Sequence, residues 1–306
     1  MRIATVATGG IGGYLAVKLA RAGHEVACLA RGAHLAAIRE HGLRLEAPED
    51  GGTVCPALAT DRPAEIGEVD AVILGVKAGG LDAAAEACRP LLKADTLVVP
   101  FLNGVEASDR LAALLPERNV GNGAAYVSTT ISAPGVITQT GLFSRFVFGE
   151  RGNQPSDRVA GLRAAFTEAG LDAPESADIE AELWTKFALF SAVSGVTAAG
   201  RCTIADIFAH ADLAELFETI VTETDRLARA RDVAVPDTLV SETMERARGL
   251  PPMMRASTAI DLEHGRALET PWINGAVARL SDELGLDAPA NRAVAALLAP
   301  HVHGRC

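Results

Sequence analysis

Apolar residues recur along this chain at two different periods. Residues 2–7 (RIATVA) form a short continuous run, partly β-branched and followed by a glycine cluster, which is the pattern of a buried strand. Residues 11–22 then place Ile11, Leu15, Val17, Leu19 and Ala20 along a helix. Gly23-His24 closes it, and residues 25–30 read as a second strand. Strand, glycine turn, helix and strand within about 30 residues make the βαβ unit of a parallel sheet. Further buried strands are predicted at 71–76 (AVILGV) and 97–102 (LVVPFL), with a helix over 81–92 that Pro90 ends or kinks. Strands alternating with helices predict an α/β, doubly wound, Rossmann-type domain.

The texture changes after residue 120. Residues 124–132, 135–140 and 144–149 are β-rich and punctuated by glycine, and are expected as antiparallel additions at the edge of the sheet. A helix is predicted over 157–169, and residues 170–178 (GLDAPESAD) read as a linker. Nearly every later segment has helical character: 179–198, 212–231, 237–248, 256–264, 272–284 and 290–299. The chain is therefore expected to divide into residues 1–175, Rossmann-type, and 176–306, mainly α-helical. Leu213, Leu216, Phe217 and Ile220 would line either a core or the face of a homodimer.

Composition narrows the function. The 306 residues are 49% hydrophobic, enough for two packed cores. The net charge of −11 is spread over both halves, −4 in residues 1–175 and −7 in 176–306. This balance argues against nucleic acid as a partner, since that binding needs many Lys/Arg–phosphate contacts. Five widely spaced cysteines without a C-x-x-C pair read as buried thiols of a reducing cytoplasm. The glycine-interrupted start reads as strand and turn rather than as a secretory leader, and no uninterrupted run of about 18 apolar residues predicts a membrane span. No metal-ligand spacing and no G-x-S-x-G elbow occurs; His301-Val302-His303 reads as a solvated tail.

Residues 7–13 read Ala-Thr-Gly-Gly-Ile-Gly-Gly. In the dinucleotide fingerprint G-x-G-x-x-G, the second glycine admits the pyrophosphate to the backbone and the third lets helix and strand pack closely. Gly9 and Gly12 fill these two places, so Gly9, Gly10, Ile11 and Gly12 are the expected cofactor turn. Ala7 stands where the first glycine normally sits; a negative φ there would accommodate it. The second strand ends in Arg31 rather than in a carboxylate. An arginine 19 residues after Gly12 suits a ribose 2′-phosphate, which favours NADP(H) over NAD(H). Lys77 and Asn103 each follow a predicted parallel strand, at the edge where open α/β sheets bind ligands. Lys186 lies among Leu183, Trp184, Phe187, Leu189, Phe190 and Val193, neighbours that would desolvate its ammonium and lower its pKa toward the range useful for proton transfer.

Residues 9–32, Gly75-Val76-Lys77, Leu102-Asn103-Gly104, Trp184-Thr185-Lys186-Phe187, and Ser257 followed by Glu269 recur in the order that resembles the ketopantoate reductase (2-dehydropantoate 2-reductase) family. The resemblance implies NADPH-dependent reduction of a small 2-oxo acid, of the type that converts 2-dehydropantoate to pantoate in pantothenate biosynthesis. It implies Lys186 as general acid, Glu269 as the carboxylate that orients it, and Ser257 on the substrate carboxylate. Asn103 is expected at both cofactor and substrate. The family's asparagines one and two turns after the lysine contact substrate; here they are Phe190 and Ser194, and Met254 replaces a third. Ser194 retains a hydroxyl for substrate, whereas Phe190 cannot hydrogen-bond one. Two alternatives therefore stand beside the main reading. One is reduction of a different, more apolar 2-oxo acid, or of an imine, with the same lysine. The other is a non-catalytic NADP-binding sensor. In the enzyme readings a cleft between the domains would gather Arg31, Lys77 and Lys186.

Overall fold

The computed structural model describes residues 1–305; Cys306, and with it its expected thiol, lies outside the described residues. The chain forms two compact units. One comprises Met1–Leu102 and Glu106–Ile179, the other Asn103–Val105 and Glu180–Cys306.

The first unit runs β1 (Arg2–Val6), α1 (Gly10–Arg21), β2 (Glu25–Leu29), α2 (Gly32–His41), β3 (Leu43–Glu46), β4 (Gly52–Val54), β5 (Leu58–Thr60), β6 (Val69–Leu74), α3 (Leu81–Cys88), β7 (Leu92–Pro100), α4 (Ala107–Leu114), β8 (Gly121–Ala133), β9 (Val136–Glu150) and α5 (Asp157–Glu168). Its main sheet is parallel throughout, in the order β5-β2-β1-β6-β7. The strands are continuous apolar runs because both faces are covered; Ile3, Val26, Ala71, Ile73, Leu97 and Val99 belong to one core. The chain leaves β1 for β2 on one side and returns to β6 on the other. The crevice at the carboxyl end of β1 is thus the topological switch point, where such sheets bind ligands. Pro90 ends α3 as expected, and a 3-10 turn over Arg89–Leu91 follows.

The β-rich stretch after residue 120 does not extend the edge of this sheet. Strands β8 and β9 pair antiparallel with each other and join β3 and β4 in a second sheet, ordered β4-β3-β9-β8. The two runs expected at 135–140 and 144–149 are one 15-residue strand, irregular at its middle. The physical reason is α1. Its small residues let it lie against this second sheet, and a Cβ on Gly13 would come within 2.7 Å of Ile137 Cδ1.

The second unit contains α6 (Ile179–Ala199), α7 (Ile204–Ala209), α8 (Ala211–Ala230), α9 (Leu239–Arg248), α10 (Ser257–Glu263), α11 (Asn274–Glu283) and α12 (Pro289–Leu298). Helix α6 is apolar around its circumference and runs through the core, with Trp184, Phe187, Ala188, Ala192, Val193 and Val196 all buried. Helix α8 is amphipathic. Phe217 and Ile220 are fully buried and Leu213 and Leu216 pack against the same core, so these four residues line a core. Cys28, Cys88 and Cys202 are buried free thiols as expected, whereas Cys55 is exposed at the end of β4. Among the described residues no helix is long and apolar enough to cross a membrane, and no cluster of three metal-ligating side chains occurs.

Candidate active site

In the first unit, β1, β2 and β6 end in register, with Val6 opposite both Leu29 and Leu74. The residues that follow each strand therefore emerge at one edge. After β1 comes the glycine turn, after β2 Arg31, and after β6 Gly75-Val76-Lys77. Arg31 is the N-cap residue of α2 and Lys77 precedes a 3-10 turn; both are exposed.

The turn itself is built on close approach. Gly9 N donates to Ala7 O at 2.6 Å and Gly13 N to Gly9 O at 2.7 Å. A Cβ on Gly12 would lie 3.0 Å from Ala7 O, and one on Gly75 would lie 2.8 Å from Gly12 N. The glycine of the Gly75-Val76-Lys77 run is thus required because the end of β6 meets the start of α1. Gly10 faces the second sheet, where a Cβ would fall 2.6 Å from Thr129 O. Helix α1 begins without a side-chain cap and without an acidic residue in its first turn. Its leading N–H groups and the positive end of its dipole are therefore suited to a pyrophosphate. Ala7 departs from the expectation of negative φ: it adopts φ +58°, the left-handed conformation that the fingerprint's first glycine would supply without strain.

The second unit brings three predicted residues together. Lys186 is half-buried in α6, and its Nζ donates to Asn103 Oδ1 at 3.4 Å. The 3-10 turn that follows Glu269 passes beside Asn103: a Cβ on Gly104 would sit 2.8 Å from Trp272 O, and Trp272 N donates to Glu269 O. Burial lowers the Lys186 pKa to about 8, and the nearby Glu269 carboxylate only partly opposes it. The Phe190 ring lies one turn along α6, its centroid 5.9 Å from Lys186 Nζ.

Ser194 is placed differently from its expected role. It is only 1% exposed, and its hydroxyl pairs at 2.7 Å with that of Thr258. That bond docks the start of α10 on α6 and leaves the neighbouring Ser257 exposed. Met254 is exposed in the loop before α10. Two further residues carry no motif. His34, in the first turn of α2, accepts from Gly135 N at 3.0 Å through Nδ1, and burial lowers its pKa. Asn274 is a buried amide at the start of α11. Only the spatial pairing of distant segments reveals either residue.

A parallel, doubly wound sheet with a glycine turn at its switch point marks the class of dinucleotide-binding proteins, and here it is followed by a helical unit that holds a half-buried lysine. The family model described as ketopantoate reductase PanE/ApbA matches residues 3–153, and its C-terminal counterpart matches residues 178–301. The chain belongs to the ketopantoate reductase family. A 2-dehydropantoate 2-reductase from Mesorhizobium japonicum is 33% identical, covering 97% of each chain. The crystal structure of a PanE/ApbA family ketopantoate reductase from Ralstonia eutropha is 32% identical, covers 98% of each chain, and superposes with a TM-score of 0.89. The ternary structure of a D-mandelate dehydrogenase with NADH and anilino(oxo)acetate shares the fold, with a TM-score of 0.89 over 98% of each chain at 22% identity.

Proposed function

We propose that this protein is an NADPH-dependent reductase of a small 2-oxo acid, acting in the cytoplasm, by a reaction of the 2-dehydropantoate-to-pantoate type. The observation that carries this reading is the lysine: a half-buried amine with its pKa lowered to about 8, held by Asn103 and facing the field of Glu269. Free thiols at four positions suit a reducing compartment.

The residues at the glycine turn fit a dinucleotide. Gly9, Gly10, Ile11 and Gly12 would hold the pyrophosphate at the start of α1, Arg31 the adenosine 2′-phosphate, and Lys77 and Asn103 the nicotinamide ribose. The reduced nicotinamide, when bound, supplies a hydride to the carbonyl carbon. The chain's own residues do the rest. The Lys186 ammonium stabilises the negative charge that develops on the carbonyl oxygen and then donates its proton there, leaving a hydroxyl. A lysine of ordinary pKa would hold that proton too tightly; burial makes it a better acid, while Glu269 keeps a useful fraction charged near neutrality. Ser257, exposed at the start of α10, is assigned to the substrate carboxylate.

A second reading is favoured by the surroundings of Lys186. The Phe190 ring borders the amine, and Ser194 acts on Thr258 rather than on a ligand. The same lysine would then donate the proton in the reduction of a 2-oxo acid with an apolar side chain. An unpaired substrate hydroxyl against Phe190 would cost about 1–3 kcal/mol. Consumption of NADPH with a panel of 2-oxo acids tests both readings. 2-Dehydropantoate and 2-oxoisovalerate, which differ by one hydroxymethyl group, separate them. Cofactor binding without turnover of any 2-oxo acid or imine would refute the enzyme and leave a binding protein.

A further inference from the structure

A chain of buried polar groups runs through the helical unit and ends on the two segments that carry Lys186 and Glu269. Glu223 of α8, 4% exposed, accepts from Ala290 N at 2.8 Å, Asn291 N at 2.9 Å and Asn291 Nδ2 at 2.8 Å, at the start of α12. Asn291, fully buried, accepts from Asn274 Nδ2 at 2.9 Å. The same Asn274 nitrogen donates at 3.1 Å to the carbonyl of Ser191 in α6. Gly195 leaves the room for this amide, since a Cβ there would lie 2.8 Å from Asn274 Nδ2 and 2.9 Å from its Oδ1.

The placement of Asn274 is specific. It follows Glu269 by five residues, and Ser191 follows Lys186 by five. The turn between Glu269 and Asn274 is tight, with Trp272 N on Glu269 O and Ile273 N on Thr270 O. Ser191 stands about 7.5 Å along α6 from Lys186. Asn274 therefore bonds the segment carrying the acid to the segment carrying its carboxylate. Apolar packing alone is non-directional and lets α6 slide or rotate by fractions of an ångström, whereas a hydrogen-bonded amide fixes register. Glu223 and Asn291 hold that amide in place, and Glu223 is in turn held by the positive end of α12.

We propose that Asn274, backed by Asn291 and Glu223, is a positioning residue that sets the geometry of the Lys186–Glu269 pair without touching substrate. This rests on Lys186 being the proton donor. The test measures kcat against pH, cofactor Kd and thermal unfolding for Asn274→Ala and Gly195→Ala, which disturb the same bond from its two sides. Met244→Ala, in the buried face of α9, controls for lost stability, and Lys186→Ala reports on the underlying reading. Both clamp variants are expected to lose kcat by about 10²-fold, as an ångström-scale misplacement does, with cofactor Kd within about twofold. Loosened packing around Lys186 should also move the alkaline limb of kcat upward by about half a pH unit or more. Met244→Ala should lower the melting temperature and leave the limb in place. Clamp variants that melt earlier but keep kcat and its limb would overturn the proposal, as would a variant unfolded at assay temperature if Gly195→Ala folds and keeps wild-type kinetics. Turnover that survives Lys186→Ala would instead sink the reading beneath it.

Discussion

Replacing Ala7 with glycine should stabilise the protein, against the usual sign of such a change. Ala7 sits at φ +58°, and its carbonyl both accepts from Gly9 N and crowds Gly12, so the turn cannot relax out of that conformation. A left-handed backbone costs an L-residue about 1–2 kcal/mol, which glycine does not incur. Glycine adds freedom to the unfolded chain, an opposing term of about 0.4–1 kcal/mol. The difference favours Ala7→Gly by about 0–1.6 kcal/mol, centred at about 0.8, which at the centre is about 2–3 °C in melting temperature for a unit of this size. Differential scanning calorimetry with Ala16→Gly as a companion separates the cause. Ala16 is buried in the right-handed interior of α1, where glycine should destabilise by about 1 kcal/mol. NADPH titration should show affinity for Ala7→Gly preserved or tightened, since the backbone path is unchanged. A melting temperature lowered as in Ala16→Gly would refute the strain argument. A marked loss of NADPH affinity would show that the turn does not bind the cofactor in this register.

Other outcomes follow from the site. Lys186→Ala should cut turnover by about 10²–10⁴-fold with NADPH binding nearly intact, measured by steady-state kinetics and fluorescence titration. Reduction needs the ammonium, so kcat in the reductive direction should fall as pH rises through about 8, while oxidation of the 2-hydroxy acid rises over the same interval. A reductive profile flat from pH 7 to 9 (about one unit either side) would contradict this assignment. Arg31→Ala should weaken NADPH by about 10-fold or more, as the loss of a charge-assisted hydrogen bond does, and leave NADH unchanged; equal effects on both would remove Arg31 from the 2′-phosphate. Phe190→Asn should raise kcat/KM for 2-dehydropantoate relative to 2-oxoisovalerate, and an unchanged ratio would take Phe190 out of substrate selection.

Local pattern determined much of this protein. The period of apolar residues specified β1, α1 and β2 to within a residue, because a fully buried strand and a one-sided helix leave different signatures over a few residues. The positions of the glycine turn and of Arg31 were legible because each follows its own strand end. The burial of Lys186 was legible in a helix too apolar to be a surface element. Other features depend on contacts between distant segments. Short β3, β4 and β5 carry too few residues for a period, and the destination of β8 and β9 was misread because a strand's sequence does not name its partner. The left-handed Ala7 could not be foreseen from a residue that normally avoids that conformation. The apolar neighbours of Lys186 pointed to a lowered pKa, but how far Glu269 opposes it was not legible along the chain, since only the distances and surroundings of the two groups weigh burial against the carboxylate. The pairing of Ser194 with Thr258, and the clamp through Asn274, exist only once helices far apart in sequence are packed: a hydrogen bond needs two groups within about 3 Å, and sequence separation carries no information about that distance.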